Sequence, residues 1–208
     1  MPHEVLHPNI FPEFFRDEEH LEDFMSIPTR EVIEDLKKVD GDIMILGVGG
    51  KVGVTLARMA KKAAPEKRVI GVSRFSEDGV IERLNDWGIE TIKCDLLDRD
   101  AVFALPKVPN IIYMAGLKFD AAGREDFLWA MNTIAPAITA EAFKDSRIVS
   151  ISTILLYPRA DGRFGASVES EAPRARPSEY WTSIVGRGGT FQYSSRKQDT
   201  PGAIGRLG

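Results

Sequence analysis

The sequence predicts a doubly wound α/β fold with a parallel sheet, and three observations point to it. From residue 42 onward, short apolar runs alternate with helical segments. A glycine-rich turn joins the first of those runs directly to a helix. The balance of 43% hydrophobic and 28% charged residues in 208 is that of a globular chain with enough apolar material for a core. A net charge of −4 and a pI near 5.5 argue against non-specific nucleic-acid binding. No apolar run approaches the roughly 18 residues a membrane helix needs. The N-terminus lacks a basic segment followed by an apolar block, so no signal peptide is expected. The lone cysteine, Cys94, cannot form an internal disulfide, which suits a reducing cytoplasm.

Residues 1–16 carry Pro2, Pro8 and Pro12 and read as an irregular arm. Residues 17–39 read as two short helices broken at Pro28. Thr29 is the N-cap of the second, and Val32, Ile33, Leu36 and Val39 lie on one face. These 40 residues form an N-terminal extension, and residues 41–208 form the sheet-containing domain. The expected strands are Ile43–Leu46, Arg68–Val72, Glu90–Lys93, Ile111–Met114 and Arg147–Ile151. The expected helices are Val52–Ala63, Val80–Trp87, Arg99–Leu105 and Glu125–Lys144. Strands separated by helices imply right-handed crossovers and a sheet covered on both faces. Pro136 should kink the fourth helix near Asn132. Residues 158–178, with Pro158, Pro173 and Pro177, read as a loop. Tyr180–Ser195 reads as a further helix weakened by Gly186, Gly188 and Gly189, and Ala203–Arg206 as the start of a sixth strand.

The turn runs Gly47-Val48-Gly49-Gly50-Lys51-Val52-Gly53. Glycines at 47, 50 and 53 permit a tight bend, close approach of backbone N–H groups to a diphosphate, and intimate contact between helix and strand. The helix N-terminus adds unpaired donors and partial positive charge. Strand before, helix after and repeated βα units around it are the context that gives a glycine motif meaning, and they make the domain Rossmann-type. The second strand ends in Ser73-Arg74, where an acidic residue would favour NAD. An arginine suits a 2′-phosphate, so NADP is expected ahead of NAD, with Ser73 as a second donor.

The ordered set of motifs resembles the extended short-chain dehydrogenase/reductase family, of the NAD-dependent epimerase/dehydratase type. It comprises Gly47-x-x-Gly50-x-x-Gly53, Cys94-Asp95-Leu96, Tyr113-Met-Ala115-Gly116, Asn132, Ser152-Thr153 with Tyr157-Pro158 beyond, and Glu179-Tyr180. The resemblance implies that Asp95 and Leu96 lie at the adenine and that Ala115 and Gly116 line the cofactor. It implies that Thr153, with Ser152 as the near alternative, is the catalytic hydroxyl. Tyr180 would be the catalytic acid or base, and Asn132 would hold the kinked helix. It also implies a homodimer bundle from the fourth and fifth helices and, after the sixth strand, a substrate lobe on the order of a hundred residues that this chain is expected to lack. The chemistry is intelligible from the residues themselves. Hydride transfer at a carbon bearing oxygen needs a matching proton transfer to that oxygen, and a phenol can perform it if a nearby cation favours the phenolate.

One departure stands out. The family places a lysine four residues after the tyrosine, and here that residue is Ile184. Arg187 and Lys118 are the cations available to supply the charge. A second Tyr-x-x-x-Lys, Tyr193 to Lys197, lies toward the helix end and reads as coincidence. His3-Glu4-Val-Leu-His7 matches a zinc-protease spacing, but Pro2 and Pro8 flank it at a chain end. A solvated arm is the better reading, and no metal is expected. Phe127, Trp129 and Phe143 read as helix contacts, and Cys94 as a buried strand-end residue.

Two functions follow. The first is an oxidoreductase or epimerase/dehydratase acting on a hydroxyl or carbonyl carbon of a small-molecule substrate, a sugar nucleotide in particular. The second is a non-catalytic NADP-binding sensor. Thr153 and Tyr180 favour the first, Ile184 the second.

Overall fold

The computed structural model describes residues 5–117, 123–153, 156–157, 178–196 and 206–207. Its helices are α1 (Glu18–Met25), α2 (Arg30–Lys38), α3 (Lys51–Ala63), α4 (Val80–Asp86), α5 (Arg99–Ala104), α6 (Glu125–Trp129), α7 (Ala135–Ala142) and α8 (Glu179–Arg196). The strands are β1 (Ile43–Leu46), β2 (Val69–Ser73), β3 (Glu90–Lys93), β4 (Asn110–Tyr113), β5 (Arg147–Ile151) and β6 (Arg206–Leu207). Strand order is β3-β2-β1-β4-β5-β6, the order of a doubly wound sheet. The expected helices and the first five expected strands are present, with ends moved by a residue or two, while the expected loop 158–178 lies outside the described residues save Ser178. Of the expected sixth strand only Arg206 falls among the described residues. The chain divides into two compact units, Met1–Lys93 with Val108–Asn110, and Cys94–Lys107 with Ile111–Gly208.

In the first unit α1 and α2 start where the sequence places caps. The Asp17 carboxylate accepts from His20 N at 2.7 Å, and Thr29 Oγ1 accepts from Val32 N at 3.3 Å, each relieving an orphan first-turn donor. Ile33 is the residue α2 buries. Of the zinc-like pattern, His3 and Glu4 lie outside the described residues, and His7 Nδ1 accepts from Asn9 N. β1 is buried at all four positions, as a strand covered on both faces must be. It pairs in parallel with β2 (Ile43 opposite Val69), and β2 pairs with β3 (Ile70 opposite Glu90). β3 is exposed at both ends and only half-buried at Thr91 and Ile92, as suits an edge strand. A bidentate pair from Arg68 to Glu90, at 2.7 and 2.9 Å, spans β2 and β3 at their starts.

In the second unit β5 pairs in parallel with β6 (Ser150 opposite Arg206). Tyr113, Phe143 and Phe191 are its largest wholly buried side chains, and the rings of Tyr113 and Phe191 meet edge-on at 5.1 Å. The expected kink at Asn132 takes a specific form. α6 and α7 are joined without a break by a π-helical turn at Ala130–Ile134, closed by Ala135 N donating to Ala130 O. Pro136 has no N–H to offer Asn132 O, so the ladder widens by one residue there. The helix ends at Ala142 rather than Lys144. None of the described helices is long and apolar enough to cross a membrane.

Candidate functional site

The first unit builds a site from backbone. Gly47 has φ +91°, a conformation that favours glycine, and its N–H and that of Val48 both donate to Val72 O, tying the turn to β2. Gly53 sits on the backbone of Val48. A Cβ there would lie 2.4 Å from Val48 O, so only glycine lets α3 approach the strand end this closely. A Cβ on Gly49 would lie 2.7 Å from Ser73 Oγ, and one on Gly50 would meet nothing within 4 Å. Gly50 is the N-cap of α3 and no side chain caps the helix. Lys51 and Val52 are exposed. The first-turn amides of α3 therefore face an open approach at the C-terminal end of β1, with the helix dipole behind them. Ser73 closes β2 beside Gly49, and Arg74 is exposed with no ion pair among the described residues. This is a cradle that a Cβ would fill, and it fits a diphosphate.

The second unit builds a site from side chains. Asn132, wholly buried on the π turn, accepts from Leu117 N and donates to Leu117 O, both at 3.1 Å, and donates to Ser183 Oγ at 2.9 Å. It thus clamps the chain just after Ala115-Gly116. Ser183 Oγ donates in turn to Tyr180 O at 2.8 Å. Arg187 is only 7% exposed. Its Nη1 donates to Ala115 O at 3.0 Å and its Nη2 to Ile151 O at 2.7 Å, so it bridges the chain just beyond β4 and the last residue of β5. Gly116 is required by this arrangement, since a Cβ would lie 2.8 Å from Arg187 Nη1 and 3.1 Å from Asn132 Oδ1. Trp129 Nε1 donates to Glu179 Oε2 at 2.6 Å, joining α6 to the start of α8.

Burial raises the Tyr180 phenol above its ordinary range, and the Arg187 charge pulls it back down. Tyr113 is raised far more because it is wholly buried, again against the pull of Arg187. Arg187 is itself lowered by burial, but an arginine stays protonated.

The residues singled out from sequence fall as follows. Gly47, Gly49, Gly50, Lys51, Val52 and Gly53 form the turn, and Ser73 and Arg74 end β2 and follow it. Asp95 is exposed, its carboxylate accepting from Leu97 N at 3.0 Å, while Leu96 is buried. Ala115, Gly116 and Asn132 come together with Arg187. Ser152 and Thr153 directly follow Ile151, the residue whose carbonyl Arg187 holds, and both are half-buried. Tyr180 is half-buried in the first turn of α8, and Ile184 is buried. Lys118, Pro158 and Lys197 lie outside the described residues. Ser183 was not foreseen. The signal that could have found it is helical spacing, because positions 180, 183 and 187 share one face.

Comparison with known proteins agrees with this architecture. The model of the NAD dependent epimerase/dehydratase family matches residues 43–185. No curated protein sequence matches. Among solved structures, MoeE5 in complex with UDP-glucose and NAD is similar at 20% identity and a TM-score of 0.65, covering 80% of this chain and 53% of that one. L-threonine dehydrogenase from Clostridium difficile is similar at 21% identity and 0.63, covering 76% and 50%. The UDP-Glc/GlcNAc 4-epimerase from Campylobacter jejuni is similar at 19% and 0.63, covering 76% and 50%. The chain therefore spans about half the length of these structures.

Proposed function

The chain belongs to the NAD dependent epimerase/dehydratase family, and from it we propose an NAD(P)-dependent oxidoreductase or epimerase/dehydratase acting on a hydroxyl or carbonyl carbon, with a sugar nucleotide as the substrate class. The observation that carries this reading is the Gly47–Gly53 turn, whose helix start is bare of side chains. When bound, the coenzyme would supply a hydride acceptor or donor. In the first unit the amides of Gly49, Gly50, Lys51 and Val52 would hold its diphosphate. Ser73 and Arg74 would hold a 2′-phosphate, which favours NADP over NAD. In the second unit Asp95 and Leu96 would take the adenine, and Ala115 and Gly116 would line the remainder. Thr153 or Ser152 would orient the reacting oxygen, and Tyr180 would pass it a proton. Asn132 would act as a positioning residue through Leu117 and Ser183. The sugar-nucleotide class is supported by similar structures, one in complex with UDP-glucose and one a UDP-Glc/GlcNAc 4-epimerase. A homodimer through the 125–142 helix and α8, in the cytoplasm, belongs to the same proposal. Ile134, 54% exposed on the π turn, supports the interface.

The experiment is calorimetric titration with NADP and NAD, followed by turnover on a panel of sugar nucleotides. Binding with turnover that Tyr180→Phe abolishes is the expected result. Tight NADP binding with no turnover would move the protein to the second reading, a non-catalytic NADP sensor, which the apolar Ile184 favours. Binding of neither coenzyme would end both.

A further inference from the structure

α8 buries a positive charge, although the two main-chain carbonyls it holds need only N–H donors and no charge. Arg187 is 7% exposed, yet none of the described carboxylates pairs with it, and its two recorded hydrogen bonds go to main-chain carbonyls. Burying an unpaired cation costs several kcal/mol. A glutamine could donate to a main-chain carbonyl there without burying a charge. The charge is also held still. One end of the guanidinium is tied to Ala115 O and the other to Ile151 O, and Gly116 leaves room for Nη1. Tyr180 lies two helical turns earlier on the same face. One turn after Tyr180 the face offers only Ile184, buried and uncharged.

We propose that Arg187 is the fixed positive charge that lets Tyr180 exchange a proton with the substrate oxygen. It is a positioning residue, acting through Tyr180 without touching substrate. This inference rests on the proposed function. In the reducing direction the Tyr180 O–H bond breaks and its proton joins the substrate oxygen as the carbonyl carbon gains a hydride from the reduced nicotinamide coenzyme. In the oxidising direction the phenolate takes the hydroxyl proton as the substrate C–H leaves as hydride to the oxidised coenzyme. The guanidinium gives up no proton in either direction and offsets the negative charge on the phenolate.

Among the described residues no carboxylate competes for that charge. Tyr113, on β4, also feels Arg187, but it is wholly buried and held neutral by desolvation. The helical elements against α8 are α6, the π turn and α7, and β4 and β5 meet it through Tyr113 and Ile151. The titratable residues of those helical elements are Glu125 and Asp126, both exposed, and Glu141, paired with Arg99. Glu179, on α8 itself, is taken by Trp129. Burial raises the Tyr180 phenol, and the Arg187 charge opposes that rise.

The test reads Tyr180 directly in coenzyme-free protein. Difluorotyrosine is placed at position 180, and its ionisation midpoint is followed by fluorine NMR in wild type, Arg187→Met, Arg187→Gln and Arg187→Lys, with circular dichroism confirming the fold. The neutral variants should raise the midpoint by about one pH unit, and the lysine variant should restore it. A purely structural arginine would move the melting temperature and leave the midpoint alone. An unchanged midpoint in a folded neutral variant overturns the proposal, as does a lysine variant that behaves like methionine. If neither neutral variant folds, Arg187→Lys decides: a wild-type midpoint supports the proposal and a raised one overturns it. Coenzyme calorimetry is separate, so failure of the dinucleotide reading and failure of this one give different results.

Discussion

The glycine turn of the first unit and the Asn132–Arg187 cluster of the second are built on opposite principles. The turn is seven contiguous residues whose working groups are amides. Its side chains matter by their absence, at Gly47, Gly49 and Gly53. The cluster draws on four separated stretches of chain around residues 115–117, 132, 151 and 183–187, and its working groups are a side-chain amide, a hydroxyl and a guanidinium. A backbone site is constrained by local conformation and spacing. A side-chain site is constrained by which helices and strands end beside one another. The first therefore tolerates almost no added volume, and the second almost no lost hydrogen bond.

The sharpest break in that contrast is Asn132→Leu. It keeps the volume but strips partners from Leu117 N, Leu117 O and Ser183 Oγ in a wholly buried place. A loss of about 3 kcal/mol in urea denaturation is expected, since each unsatisfied buried group costs roughly 1–3 kcal/mol. Next is Gly53→Ala, which forces a Cβ against Val48 and should cost about 2 kcal/mol as overpacking. It should also abolish coenzyme binding in the same titration, whereas Asn132→Leu should weaken turnover more than binding. Arg74→Ala touches no buried group. It should leave the melting temperature unchanged and weaken NADP about tenfold, or about 1.4 kcal/mol, with NAD unaffected.

The smallest effect runs the other way. Tyr113 Oη is buried with no hydrogen-bond partner among the described residues. Tyr113→Phe should be neutral or stabilising by about 1 kcal/mol, because it removes a desolvated hydroxyl. The sign of the pH dependence follows from the direction of its shift. Burial raises the folded-state phenol above its unfolded value, so the stability linked to Tyr113 is fully present below about pH 10 and is lost as pH rises beyond it. The stability difference between wild type and Tyr113→Phe should therefore be constant below about pH 10 and widen above it. A variant that loses more than it gains would show that the hydroxyl is doing something the hydrogen-bond geometry does not reveal.

Much of the fold could be read from residue order alone, because it depends on interactions a few residues long. Thr29 caps a helix because its hydroxyl reaches Val32 N three residues on, and β1 is apolar at every position because both faces are covered. Gly47 and Gly53 announce themselves because no other residue fits a positive φ or a contact with a neighbouring backbone. The proline at 136 foretold a disturbance near Asn132, but its form as a π turn depended on how the freed carbonyl and its neighbours were satisfied. The cluster's membership was not legible in the same way. Ser183 is marked in sequence only by its helical spacing from Tyr180 and Arg187, and Arg187 was one of two candidate cations. Of the two, Arg187 falls among the described residues, where residues 115 and 151 at the ends of their strands meet one face of α8. Sequence determines contacts that the local chain must make. Partners 36 and 72 residues away in sequence are chosen only when the strands have taken their places and the carbonyl ends come within reach of one guanidinium.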